Sequence, residues 1–323
     1  MKQPPPTRRD RTGRGLHASS WMKIMALRIP RAPHSVPRML LWFLITLPLI
    51  VTEPAPAQEL QWEPLGTGMA AAVWKPGARC SEIDRVLALK VDPERYRFAV
   101  HFYAQEGLLH PPTIDEWQRR TGHDVLFNAG LFRENFAYLG LLFKEGHSLG
   151  SRRHGTWQGL FVAEPTSATA APKAGVLDLA TDAFQEQMPA YREAAQSLML
   201  LDRAGMIRVR QSGKRAYQTV VAEEHDGHIL ILKSLGLVTL HGLGQCLRDT
   251  VPSIKLAMAM DGGSSSDLFV AESLWKHGDQ SDTRTSWKEL FAGRSTAHIP
   301  LPAIISLSPR EAAPGAATPP SKP

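Results

Sequence analysis

The sequence predicts an α+β fold: a single domain with a largely antiparallel mixed sheet and helices packed on it. Three observations carry this expectation. Segments of strand length, apolar or alternating, recur along the chain. Helical patterns are fewer and are mixed in among them. Asp226-Gly227, between two apolar runs, marks an antiparallel hairpin.

The chain of 323 residues has the apolar and charged content of a globular protein. Its net charge is +6, but residues 1–57 hold nine basic side chains against two acids. The remainder is therefore slightly acidic, which argues against a nucleic-acid partner. The basic stretch has its own logic. Met39–Val51 is a short apolar core after Arg28, Arg31 and Arg38, and Ala55-Pro56-Ala57 follows it. That order predicts a secretory signal over 1–57 and a periplasmic or secreted protein. The core is short for a bilayer crossing, so no stable membrane span is expected after cleavage.

The folded domain is expected over 58–308. Arg85–Val91 and Tyr96–Phe102 alternate and predict paired strands around Asp92-Pro93. Thr113 and Glu116 have capping-box spacing and predict a helix to about Arg120, stopped by Gly122. Val125–Phe127, Leu139–Phe143 and Trp157–Val162 predict strands. Asp182–Gln187 and Ala190–Gln196 have helical composition, and Leu198–Leu201 reads as a strand. Thr219–Ala222 and His228–Leu232 flank the Asp-Gly turn. Val238–Arg248 places Leu240, Leu243 and Leu247 on one helix face. Leu256–Met260 is a buried strand, Thr283–Leu290 a short helix, and Ile299–Leu307 a last strand whose prolines suggest an edge. Residues 309–323 form a Pro/Ala-rich tail expected to be disordered. Cys80 and Cys246 either pair or stay separate thiols; the sequence leaves both open.

The stretch richest in chemistry is Lys255–Val270. An apolar strand ends at Asp261, followed by Gly262-Gly263, then Ser264, Ser265 and Ser266. Glycines let a ligand approach the backbone, and successive N–H groups in such a loop form an anion nest. The bland alternative is the polar tip of a hairpin. Gly263–Asp267 is not a G-x-S-x-G elbow, and neither a P-loop nor an H-E-x-x-H motif is present.

Four segments occur in a fixed order: Asn128-Ala129-Gly130-Leu131-Phe132, Gln196-Ser197, the Asp226-Gly227 hairpin and Asp261–Ser266. This set resembles the phosphodiester glycosidase domain family, in its bacterial exported, exopolysaccharide-related branch. The resemblance spans roughly residues 125–307. It implies hydrolysis of a sugar 1-phosphodiester, with a carbohydrate phosphodiester or polysaccharide as partner. Carried over, it makes Asp261, Asn128 and Arg215 catalytic. It makes Gly130, Phe132, Gln196, Ser197, Arg294 and the Gly262–Ser266 loop substrate-binding. Asp261 would act as base, nucleophile or oxocarbenium stabiliser, as glycosidase carboxylates do. The family's Arg ahead of the hairpin is replaced by Tyr217-Gln218-Thr219, with Arg215 displaced by three, and its Gly-Pro after Gln-Ser is absent. No cofactor is expected. A divalent cation at Asp261 has no ligand set of known spacing behind it. Two other readings stand beside the enzyme: a non-catalytic glycan- or phosphate-binding protein of the envelope, and a serine hydrolase using Ser265.

Overall fold

The structure is a computed structural model that describes residues 60–167, 171–275 and 298–310. The expected signal, the Thr283–Leu290 helix, Arg294 and residues 311–323 of the tail lie outside the described residues.

The α+β expectation is wrong. Among the described residues, 17 strands stand against three α-helices, and every strand pairing is antiparallel. The protein is mostly β. The main misreading is Ala190–Gln196, whose composition suggests helix. It belongs instead to an 11-residue strand, Tyr191–Leu201, buried along nearly its whole length. That strand pairs with Leu142–Lys144, Gly159–Pro165 and Ile254–Ala259. Ala, Glu and Gln favour helix, but that preference is weak beside so much tertiary pairing.

Two sheets form the body. The large one has eleven strands and includes Val86–Val91, Ile229–Ser234, Thr219–Glu224, Ile254–Ala259 and Tyr191–Leu201 in that spatial order. The small one has four: Leu268–Val270, Val125–Asn128, Ala303–Pro309 and Tyr96–Phe102. Leu87, Leu89, Phe161, Ile231 and Met258 of the large sheet share one apolar core with Phe98, Val100, Phe127, Ile305 and Leu307 of the small one. Each outer face carries a helix. Leu243 and Leu247 of Leu240–Thr250 cover Val220, Ala257 and Ala259. Ile114 and Trp117 of Ile114–Thr121 cover Leu126 and Ile304. Strands buried on both faces lose their alternation and read as continuous apolar runs, as IKLAMA does.

Other expectations meet mixed outcomes. The capping box of Thr113 and Glu116 is present, and Gly122 ends the helix at φ 67°. The Asp226-Gly227 hairpin joins Thr219–Glu224 to Ile229–Ser234. Val86–Val91 and Tyr96–Phe102 do form, but they belong to different sheets and are not paired. Ala303–Pro309 is an interior strand rather than an edge, with Tyr96–Phe102 on one side and Val125–Asn128 on the other. Pro300 and Pro302 precede its ladder, so their missing N–H groups cost nothing there. Cys80 and Cys246 are disulfide-bonded, tying the turn Gly77–Cys80 to the helix Leu240–Thr250.

Candidate functional site

Asp261 is not at a hairpin tip. Ile254–Ala259 lies in the large sheet and Leu268–Val270 in the small one, so residues 260–267 carry the chain between sheets. The crossing is fixed by one buried amide. Asn128 ends its strand at 1% exposure. Its Nδ2 donates to the Asp261 carbonyl (2.8 Å) and to that of Ala129 (3.1 Å). Its Oδ1 accepts from the Thr219 hydroxyl (2.8 Å) and the Asp267 N–H (2.9 Å). The Thr219 hydroxyl in turn meets that of Ser266 at 2.9 Å. Asn128 and Asp261 are thus adjacent, as the site requires. The Asn128 side chain is spent on holding the loop.

The two glycines answer different demands. Gly263 has φ 72°, the left-handed region that favours glycine. At Gly262 a Cβ would come within 2.8 Å of Gln218 Oε1 and 3.0 Å of the Tyr217 carbonyl. The three serines also separate: Ser264 is exposed, while Ser265 and Ser266 are buried.

The Asp261 side chain lines a cleft of about 590 Å³ together with Gly262 and Gly263. Its Oδ1 accepts from the Gly262 N–H at 3.0 Å. Burial pushes the carboxyl up to about 6, against the opposing pull of the Ser265 hydroxyl, the Gly262 N–H and the Lys214 charge. A carboxyl poised there changes charge near neutrality, which suits proton transfer. Asp261 is the one acid among the described residues lining the cleft.

The cations differ from those expected. Arg215 donates to the Leu237 carbonyl (2.7 Å) and does not line the cleft. The cleft is lined instead by Arg208, Arg210 and Lys214. Arg208 is ion-paired with Asp178 (3.1 Å) and Asp202 (3.4 Å). Lys214 is the one whose charge reaches Asp261. Sequence reading missed these three, because they follow the Asp202–Gly205 turn in a stretch without motif. Their one visible mark is the density of basic side chains in RVRQSGKR.

The remaining expected residues surround the site without facing it. Gly130 donates its N–H to the Tyr138 hydroxyl at 3.0 Å, and that hydroxyl donates to the Gln196 carbonyl at 2.8 Å. Gln196 and Ser197 are fully buried. Phe132 packs near Phe136, ring centroids 6.2 Å apart, and its neighbour Leu131 lines the cleft in its place. Among the described residues, one group has the reach for a metal ion: Glu224, Asp226 and His228 at the Asp-Gly hairpin, outside the cleft lining. Lys90 Nζ already brings a positive charge to within 2.8 Å of Glu224.

No family model and no curated protein matches the sequence. Solved structures do resemble the fold. A hypothetical protein from Synechocystis aligns with TM-score 0.50 and 13% identity over 79% of this chain, which spans 65% of that protein's length. The catalytic domain of zebrafish N-acetylglucosamine-1-phosphodiester alpha-N-acetylglucosaminidase, auto-inhibited by its pro-peptide, aligns with TM-score 0.51 and 12% identity. That match covers 78% of this chain and 88% of the other. At such identities the likeness is one of fold.

Proposed function

We propose that the protein is an exported hydrolase that cleaves a sugar 1-phosphodiester of envelope or extracellular glycans. The observation that carries this reading is Asp261. It is a half-buried carboxyl, raised to about 6, on the same cleft wall as the Gly262-Gly263 backbone and within the field of Lys214. The bond implied by the zebrafish enzyme's name gives the substrate class.

The chemistry suits a site with one acid. Water attacks the anomeric carbon and Asp261, ionised, takes its proton. The C1–O bond breaks, and its electron pair leaves on the oxygen of a phosphomonoester. That leaving group is stable without protonation, so a second carboxyl is not required. Lys214 would meet the phosphate oxygens and stabilise their charge, while Gly262 and Gly263, whose N–H groups are bonded to Asp261 Oδ1 and the Tyr217 carbonyl, let the phosphate approach the wall closely. The Cys80–Cys246 disulfide supports an oxidising compartment.

The turning away of Arg215 favours a second reading, a non-catalytic glycan- or phosphate-binding protein. Assay of a methyl N-acetylglucosamine 1-phosphodiester separates the two. Wild type should release free sugar, and Asp261→Asn should lower kcat at least about 100-fold while unfolding cooperatively. A wild type that binds the diester without turning it over refutes the enzyme reading.

A further inference from the structure

The buried Gln196 has a task that its place in a substrate-binding motif does not describe. Its Oε1 accepts from the N–H groups of Leu141 (2.9 Å) and His154 (3.0 Å). Its Nε2 donates to the carbonyls of His154 (2.9 Å) and Trp157. All four bonds go to backbone, and three of them clamp the His154–Trp157 turn against the long strand. Within that turn the His154 imidazole stacks on the Trp157 indole, ring centroids 3.8 Å apart and planes 17° from parallel. The indole is half-buried and lines the cleft.

Trp157 leads into Gly159–Pro165. Where that strand starts, a Cβ on Gly159 would come within 2.8 Å of the Met258 side chain, so it lies directly against Ile254–Ala259, which delivers Asp261. Pyranose rings present flat C–H faces of slight positive charge, which complement the electron-rich face of an indole. An indole stacked on a neighbouring ring, on a backbone clamped by three hydrogen bonds, loses less side-chain freedom on binding.

We infer that Trp157 is the surface on which a sugar ring of the ligand stacks, and that Gln196 is the positioning residue that holds it there. This rests on the reading of the cleft as a glycan phosphodiester site. Gln196 then acts through Trp157 and touches no ligand itself.

Calorimetric titration of the purified protein with N-acetylglucosamine 1-phosphate and, separately, inorganic phosphate tests this. Trp157→Ala should weaken the sugar phosphate about 10-fold, the scale of one good aromatic contact. It should leave inorganic phosphate within about twofold, and Trp157→Phe should recover most of the loss. Gln196→Ala should show the same selective loss, and adding it to Trp157→Ala should cost nothing more, as expected when one residue works through the other. An additive double variant refutes the role of Gln196. If Gln196→Ala does not fold, the two Trp157 variants decide. Equal loss of both probes, no loss in Trp157→Ala, or no binding of the sugar phosphate by wild type overturns the proposal. Failure of the activity reading is distinguishable: wild type would then bind the sugar phosphate selectively through Trp157 yet leave the diester intact.

Discussion

Replacing Asp261 by Asn should make the protein more stable at neutral pH, and the gain should vanish in acid. The Asp261 carboxyl is raised from 3.8 to about 6 by burial. About two pK units at 1.36 kcal/mol each gives about 3 kcal/mol between its two protonation states. The sign follows from proton counting. Between about 4 and 6 the folded protein binds this proton more tightly than the unfolded chain does. Raising the pH through that window therefore removes stability, and above 6 the fold carries the full cost of an ionised, half-buried carboxylate. Asparagine carries no such charge, and its Oδ1 still accepts from the Gly262 N–H. Partial solvation makes 3 kcal/mol a ceiling. At 2–4 °C per kcal/mol for a domain of this size, the Asn variant should melt about 5 °C above wild type at pH 8. The gap should close steadily toward pH 4. Paired thermal melts of both proteins at pH 4 to 8 read it directly, because every other titrating group cancels in the difference. A gap that does not change with pH, or a variant less stable at pH 8, would refute the account of Asp261 as a carboxyl strained by burial.

Other outcomes follow from the same geometry. Because the Lys214 charge lowers the Asp261 pKa, Lys214→Ala should move the acidic limb of kcat/KM, in which activity rises with pH through about 6, to higher pH. A limb that stays in place removes Lys214 from the site. Asn128→Ala orphans the Asp267 N–H and frees the Asp261 carbonyl from its tether. At about 1–3 kcal/mol for each buried group left unpaired, it should cost about 3 kcal/mol in denaturant unfolding. Cys80→Ser should cost about 2–5 kcal/mol, since the disulfide closes a loop with sequence separation 166. Reduction of the wild type should lower its midpoint to match.

Local chemistry was legible in the sequence wherever the signal was itself local. The capping box at Thr113, the left-handed Gly122, the Asp-Gly hairpin and the apolar strand before Asp261 depend on neighbours within four residues. The fold class depended on pairing between distant segments, and there the reading failed. Tyr191–Leu201 is a strand because three other strands bond to it and cores press on both its faces, which overrides the composition of YREAAQ. Tyr96–Phe102 bonds to Ala303–Pro309, about two hundred residues away, so nothing near it in sequence reveals the partner.

The candidate site divides along the same line. Asp261 and the two glycines form a contiguous motif, and the left-handed φ of Gly263 is a property of its own backbone. The positive charge facing them is not contiguous with anything. Lys214 reaches the cleft because the loop after Leu201 folds back along the sheet, where Arg208 bonds the Leu200 carbonyl through its N–H and is anchored by Asp178 and Asp202. Arg215, one residue later, points to the Leu237 carbonyl instead. The bonding of neighbouring side chains thus sends one cation into the cleft and the next out of it. Replacing the expected arginine by the lysine before it changes the chemistry as well as the assignment. Lysine is a point charge on a flexible stem, without the planar fork that grips phosphate at two oxygens. The Gly262 N–H is taken by Asp261 Oδ1 and the Gly263 N–H by the Tyr217 carbonyl, so the glycines would shape the wall the anion meets, and Lys214 would supply its counter-charge. On that division of labour, Lys214→Arg should preserve the pH limb, whereas loss of the glycine backbone geometry in Gly263→Ala should not be rescued by any cation.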